Sequence, residues 1–191
     1  MKKIVIASIA IVSMAFNANA QQTQIGVKGG LNIATINYSS TTPSNFKSLV
    51  GAHAGLLAHI HLTDMFAIQP EVVYSMQGAK DHTVSSSEVR LGYLNVPVLV
   101  QYMFSNGLRL ETGPQAGILL SAKEKNNSVT SDLKDQLNGF DFSWAAGLGY
   151  LSKMGLGADA RFNFGLSDLT KSDLSKVRNN VVQIGLFYQF K

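Results

Sequence analysis

The chain has 191 residues, of which 46% are hydrophobic and only 15% are charged, and it contains 17 glycines and no cysteine. This length fits one domain, and the low charged fraction excludes an acidic disordered chain and a helical bundle rich in lysine and glutamate. The absence of cysteine excludes a disulfide framework, a thiolate metal site and a lipid-modified N-terminal cysteine.

The first twenty residues have the organisation of a secretory signal peptide. Two lysines precede an apolar run over 4–16, and the segment ends in Ala18-x-Ala20. This order predicts cleavage after Ala20, whereas a membrane anchor needs about 20 apolar residues. We therefore assign 1–20 to a cleaved signal peptide and 21–191 to the mature domain. Its 14 basic and 12 acidic side chains give no indication of nucleic-acid binding.

Beyond the signal peptide, apolar and polar side chains alternate in segments typical of half-buried β-strands. The first segment places Ile25, Val27 and Leu31 on one face and Lys28 and Asn32 on the other. Eight segments follow this rule, over residues 24–33, 50–62, 66–77, 93–104, 108–121, 140–151, 156–165 and 182–190. No later stretch is apolar enough for a membrane helix, so the sequence predicts an all-β protein.

The connections between these segments alternate in length. Those after the second, fourth and sixth segments are tight and cover 63–64, 105–107 and 152–155. The others are long and polar and cover 35–48, 78–88, 122–139 and 167–179. Short turns in the periplasm and long loops outside the cell are typical of outer-membrane barrels. The pattern therefore predicts an eight-stranded antiparallel up-and-down transmembrane β-barrel.

The two faces of the strands distinguish a membrane barrel from a soluble eight-stranded barrel such as a lipocalin. The apolar face carries aromatic residues near both ends of the strands, as expected at the two interfaces of a membrane. The opposite face carries seven charged residues: Lys28, Glu71, Arg109, Glu111, Asp141, Asp159 and Arg161. Because lipid would not tolerate these charges, we expect them to face the lumen and to form a neutralising network.

The last segment carries a candidate assembly signal. Gln183, Gly185, Tyr188 and Phe190 follow the order of a polar residue, a glycine and two alternating aromatics. This order resembles the terminal-strand signal read by the outer-membrane barrel insertion machinery, although Lys191 follows the final aromatic. We therefore expect that machinery as a partner and outer-membrane lipid as the surroundings of the folded chain.

Five further motifs cover nearly the whole mature chain. They are Gly26-x-Lys28-x-Gly30-x-Asn32, Gln69-Pro70-Glu71-x-x-Tyr74-Ser75-x-x-Gly78, Tyr93-Leu94-x-Val96-Pro97, Gly113-Pro114-x-x-Gly117 and Arg161-Phe162-x-x-Gly165-Leu166. In this order they resemble the PorT-type outer-membrane β-barrel domain of Bacteroidetes-type bacteria, with Arg-Phe where Arg-Tyr is more frequent. The resemblance implies an OmpA/OmpX-like eight-stranded barrel. It does not imply one activity, because the named member serves a protein secretion system and most relatives have no assigned role.

Catalytic and metal-binding patterns are weak. His53, His59 and His61 share the polar face of the second segment, and His59-x-His61 offers two imidazoles, but the further ligands of a zinc site are not identifiable. No Ser/His/acid spacing, phosphate loop, dinucleotide fingerprint or zinc finger stands out. We therefore expect no enzyme activity, no metal and no cofactor.

Together these features favour an integral outer-membrane protein with a structural, envelope-interaction or secretion-accessory role. The interior of an eight-stranded barrel holds little beyond its own side chains, which argues against an open pore. The long loops are the expected surface for an envelope or secretion partner. Two alternatives stay open at this point: a small lipid-modifying outer-membrane enzyme and a narrow passage for small hydrophobic molecules.

Overall fold

The computed structural model describes residues 23–38, 46–81, 87–126, 129–168 and 177–190. The predicted signal peptide lies outside these residues. Nine strands occur in the described part of the chain: β1 (Thr23–Tyr38), β2 (Phe46–His61), β3 (Phe66–Asp81), β4 (Ser87–Met103), β5 (Leu108–Asn126), β6 (Val129–Asp132), β7 (Phe140–Leu151), β8 (Leu156–Gly165) and β9 (Val177–Gln189). The same residues include no helix long and apolar enough to cross a membrane.

Eight of these strands close into a barrel. They pair antiparallel in the order β1, β2, β3, β4, β5, β7, β8 and β9, and β9 returns to pair with β1. At that closure Gly30 lies opposite Gly185. Closure leaves no strand of the ring with an unpaired edge, and the predicted fold of an eight-stranded antiparallel barrel is confirmed.

The strands extend further than the alternation of side chains predicts, so the predicted loop boundaries were wrong. β1 continues to Tyr38, β3 to Asp81 and β5 to Asn126. β6 pairs with the end of β5, with Lys123 opposite Asp132, which makes a short hairpin inside the predicted loop 122–139. A tilted strand crosses a bilayer with about 9–11 residues, so these extensions project beyond the apolar band. Outside lipid a strand does not need an apolar face, and the alternation that marks it in the sequence is lost.

Three short connections, at 62–65, 104–107 and 152–155, form one end of the barrel, called here the turn end; the opposite end is the loop end. Gly107 and Gly155 have φ values of +92° and +86°. Glycine occupies this left-handed region without the steric penalty of a side chain. Each turn also bonds to the neighbouring strand. At the second turn, for example, the amide of Leu151 donates to the carbonyl of Gly107 over 2.9 Å.

The side chains divide between the two faces as the alternation predicts. Outward residues such as Val50 and Leu186 are 64% and 60% exposed, whereas the inward Glu71 is 2% exposed. Aromatic rings contact one another on the outer face at both ends, with centroids 5.3 Å apart for Tyr188 and Phe190 at the turn end. An apolar outer face with aromatic residues near both ends matches the requirements of a bilayer.

A small apolar cluster fills the loop end of the lumen. Leu133 and Leu137, in the segment that follows β6, pack against Ala79, Leu91, Tyr93, Leu119 and Ala122. The segment is held in place because the amide of Leu133 donates to the carbonyl of Ala122 over 3.0 Å. Part of the stretch predicted to be a polar loop is therefore folded inward over the lumen.

Candidate functional site in the lumen

Five of the seven charged residues predicted for the lumen meet about halfway along the apolar band. They belong to β1, β3, β5 and β8, and each is buried; they are Lys28, Glu71, Glu111, Asp159 and Arg161. These five side chains are called the charge cluster below.

Arg161 is the centre of the charge cluster. Its Nη1 and Nη2 each donate to one oxygen of the Glu71 carboxylate over 3.0 Å. Its Nε donates to Glu111 over 2.8 Å, and Nη2 lies 3.8 Å from Asp159. The planar guanidinium thus binds one carboxylate with two parallel hydrogen bonds and a second carboxylate along its other edge, the arrangement that makes arginine pairs strong.

Lys28 is the second cation of the charge cluster. Its Nζ donates to Asp159 over 2.8 Å and to Glu71 over 3.3 Å. Glu71 therefore lies between both cations. Removing charges from water is costly, and this cost is offset only where each charge has partners with good geometry.

Two glutamines and a third cation extend the charge cluster toward the turn end. Gln69 donates to Glu71 over 2.8 Å and Gln101 donates to Glu111 over 2.9 Å. Arg109 donates to the side-chain oxygen of Gln101 over 3.4 Å, and its guanidinium lies 5.7 Å from the centre of the Phe187 ring. Arg109 therefore joins the charge cluster through a glutamine and makes no ion pair within the described part of the chain. Its charge balances the excess of one carboxylate among the five cluster residues.

Asp141 does not join the other predicted charges. It lies at the loop-end start of β7, where its carboxylate accepts a hydrogen bond from the hydroxyl of Ser167 over 2.6 Å. The sequence placed Asp141 on the inward face correctly, since it is buried. Its height along the barrel, which separates it from Arg161, follows from its position one residue into the strand.

A second, uncharged network lies between the charge cluster and the loop end. Asn32 donates to the hydroxyl of Ser75 over 2.9 Å, and its side-chain oxygen lies 2.8 Å from Nδ1 of His53. Gln183 also donates to that oxygen, over 3.1 Å. The network predicted from the sequence did not include Asn32, Ser75, Gln69 or Gln101. The signal that could have found them is the alternation along their strands, which places them on the same face as the charged residues.

The remaining predicted site residues face the lumen or the outer surface as the alternation along their strands requires. Gln183 and Gly185 face the lumen, whereas Tyr188 and Phe190 face outward at the turn end. Their role as an assembly signal stays a prediction. His59 and His61 contact each other edge to face with centroids 4.5 Å apart, and His53 lies closer to the loop end. Within the described ranges, no group of three histidine, aspartate or glutamate side chains is placed to hold a metal ion.

The arrangement makes the lumen a packed, charge-paired interior. Glu71, Gln101 and Arg161 are each at most 3% exposed, and the hydrogen bonds between Arg161 and Glu71 join walls of the barrel that are not neighbours in the sheet. Such an interior can hold the barrel in one shape and block the passage of ions.

The chain is similar to known outer-membrane barrel proteins. The model of a family described as "Outer membrane protein beta-barrel domain" matches residues 19–171. Among solved structures, Neisserial surface protein A has a TM-score of 0.62 at 14% identity, covering 87% of this chain and 97% of that protein. Ail, the attachment invasion locus protein of Yersinia pestis, has a TM-score of 0.55 at 13% identity, covering 89% and 100%. At these identities the likeness shows the fold alone. No curated protein matches the chain.

Proposed function

The chain belongs to the outer-membrane protein β-barrel domain family and is an outer-membrane protein, and from this premise we propose that it acts as a closed membrane scaffold with a structural, envelope-interaction or secretion-accessory role. Within the family, the order of motifs from Gly26 to Leu166 favours the PorT-type branch. The proposal includes export by a signal peptide that is removed after Ala20.

The observation that carries this proposal is the charge cluster across the lumen. Arg161 on β8 and Glu71 on β3 are joined by two hydrogen bonds of 3.0 Å. An ion path along the barrel axis would have to separate these charges, and an uncompensated buried charge costs about 3–5 kcal/mol. An eight-stranded barrel has an interior just wide enough for such side chains to fill. The closed interior therefore supports a scaffold over a channel.

The proposed partner surface is the hairpin of β5 and β6 at the loop end. Lys123 and Lys125 on β5 are exposed, as are Ser131 and Asp132 on β6. These polar side chains stand beyond the apolar band, where a protein of the envelope or of a secretion system can reach them. Loops and extensions carried by a rigid barrel are the usual place for such recognition.

The burial of His53 and His59 supports a role other than lipid modification. A lipid-modifying enzyme needs its serine, histidine and acid accessible at the membrane-facing surface. His53 and His59 are 3% and 1% exposed and face the lumen, and Nδ1 of His53 is engaged by Asn32. We therefore propose a protein without enzyme activity.

Two measurements test the proposed function. Purified protein in planar bilayers should give no stable, large conductance, and vesicles containing it should not take up small hydrophobic probes faster than vesicles without it.

Affinity purification from native membranes should recover the same envelope protein with the unmutated chain, and recovery should fall when Lys123 and Lys125 are both replaced by glutamate. Uniform channels, or saturable uptake of a hydrophobic probe, would contradict the closed scaffold.

A further inference from the structure

Hydrogen bonds between side chains run along most of the lumen in two separate chains. The hydrogen-bond chain nearer the loop end links Asn179 to Gln77, Gln77 to Ser75, Ser75 to Asn32 and Asn32 to His53. The chain nearer the turn end begins at Asp159 and continues through the charge cluster to Gln101 and Arg109. The two hydrogen-bond chains approach each other at His53 and Asp159, and no hydrogen bond joins Nε2 of His53 to Oδ1 of Asp159.

The bonds of Asn32 determine which nitrogen of His53 carries a proton. The amide nitrogen of Asn32 lies within hydrogen-bond distance of the Ser75 hydroxyl and of the backbone carbonyls of Ala52 and Met76. Because carbonyl oxygens only accept, these contacts fix the orientation of the amide. The side-chain oxygen of Asn32 can only accept, so Nδ1 of His53 must donate to it. In the neutral imidazole, Nε2 of His53 is then an acceptor.

Two buried acceptors therefore face the same space without a partner. Nε2 of His53 and Oδ1 of Asp159 both lack a hydrogen-bond partner, and their residues are 3% and 6% exposed. A Cβ atom placed on Gly185 would lie 3.0 Å from this Nε2 and 3.2 Å from this Oδ1. Because Gly185 has no side chain, the space between the two acceptors stays open. Leaving buried polar atoms unpaired destabilises a folded protein.

We propose that the space beside Gly185 is a binding site for one ordered water molecule, which donates to Nε2 of His53 and to Oδ1 of Asp159. Two acceptors cannot bond to each other, and water supplies the two protons that they need. The Nζ of Lys28 donates to Glu71 and to the other carboxylate oxygen of Asp159, so Oδ1 of Asp159 is left to the water. Buried waters make about two to four hydrogen bonds, so two acceptors are sufficient for such a site.

The charges around the site favour water over a metal ion. Asp159 already has Nζ of Lys28 at 2.8 Å and Nη2 of Arg161 at 3.8 Å. A metal cation would bring a third positive centre to the same carboxylate. The water joins the two hydrogen-bond chains into one and gives Gly185 a role in the folded barrel that is separate from the predicted assembly signal. This inference does not depend on the proposed function.

A crystal structure of the unmutated protein in detergent at about 2 Å tests the proposal directly. We expect one water within hydrogen-bond distance of both acceptors. Long-range proton–nitrogen NMR should show Nδ1 of His53 protonated and Nε2 unprotonated, with a cross-peak from water to the ring protons. A direct His53–Asp159 contact, a metal ion or an empty space at this position would overturn the proposal.

A pair of glycine substitutions provides a second test, made by urea unfolding of protein refolded in detergent so that cellular insertion is bypassed. Gly185→Ala should displace the water and leave two acceptors unpaired. Gly149→Ala is the control, because its Cβ also points into the lumen, where it meets the flexible side chain of Arg109 at 3.2 Å. Both positions also place the Cβ near a backbone carbonyl oxygen, that of Ala158 at 3.3 Å for Gly149 and that of Gly29 at 3.0 Å for Gly185. Gly185→Ala should lower the unfolding midpoint more than Gly149→Ala and remove the water signal from the His53 ring. Equal midpoints with an unchanged ring signal would contradict the site.

Discussion

Arg161 and Glu71 join opposite walls of the barrel with two hydrogen bonds of 3.0 Å, although they are 90 residues apart in the sequence. β8 and β3 are four strands apart in either direction around the ring of eight. Neither strand touches the other through the backbone. The pair therefore fixes the distance across the lumen, which backbone pairing between neighbouring strands does not do alone.

The first prediction concerns this pair. Glu71→Ala leaves Arg161 and Lys28 without their shared carboxylate, and Arg161→Ala leaves two carboxylates without their main cation. Each change should lower the free energy of unfolding by about 3–5 kcal/mol, because the remaining charges stay buried. Urea unfolding in detergent micelles measures the effect. Lys125→Ala, at an exposed position on β5, is the control, and equal midpoints for all three variants would contradict the inward network.

The sequence predicts the direction of these side chains but not their partners. Parity along one strand is sufficient to place Lys28, Glu71 and Arg161 on the inward face, since successive residues point to opposite sides. Partners across the lumen depend on the stagger between strands, which sets the height of each residue and cannot be read from a single segment. For this reason Asp141 was grouped with charges that it does not contact.

The extensions at the loop end were missed for a different reason. The end of β5 and the strand β6 pair through their backbones, as Lys125 and Thr130 do, without an apolar face that must be buried. Backbone hydrogen bonding alone does not require polar and apolar residues to alternate, so a polar segment that pairs in this way has no strand pattern in its sequence. The inward packing of Leu133 and Leu137 was equally hidden, because two leucines in a polar stretch show no strand period.

The second prediction concerns the turn that contains Gly107. Its φ of +92° is unfavourable for a residue with a side chain, and a Cβ would lie 2.5 Å from the carbonyl oxygen of Leu151. Gly107→Ala should therefore lower the free energy of unfolding by about 1–2 kcal/mol. Gly139→Ala is the matched control, because its Cβ would meet no atom within 4 Å. Urea unfolding midpoints compare the two variants. A decrease of the midpoint for Gly139→Ala as large as that for Gly107→Ala would contradict the assigned turn.

The third prediction concerns the segment folded over the lumen. Leu137→Ala removes apolar contact with the cluster around Tyr93 and should open this segment locally while the barrel stays folded. Limited digestion with trypsin should then cut after Lys134 several times faster than in the unmutated chain. Gln136→Ala, at an exposed position, is the control. An unchanged rate of cleavage after Lys134 would show that Leu137 does not hold the segment.

The fourth prediction concerns export. Sequencing of the protein recovered from outer membranes should give Gln21 as the first residue, because the charged, apolar and small-residue regions place cleavage after Ala20. The same fraction should migrate faster on detergent gels when unheated than when boiled, as a closed barrel stays folded without heat. An intact Met1, or recovery from the soluble periplasm, would contradict the assignment of 1–20.

The last prediction separates recognition of the terminal strand from bilayer energetics. Phe190 is 49% exposed on the outer face at the turn end, beside Tyr188, and Phe66 on β3 is 44% exposed at the same end. A lysine near a membrane interface costs only about 0–1 kcal/mol, so Phe190→Lys and Phe66→Lys should refold equally well into lipid vesicles in vitro. In cells, only Phe190→Lys should lose outer-membrane insertion, because only Phe190 belongs to the predicted assembly signal. Heat-modifiable protein in outer-membrane fractions measures insertion for both variants. Equal loss for both would assign the effect to the apolar face, and normal insertion of Phe190→Lys would remove Phe190 from the signal.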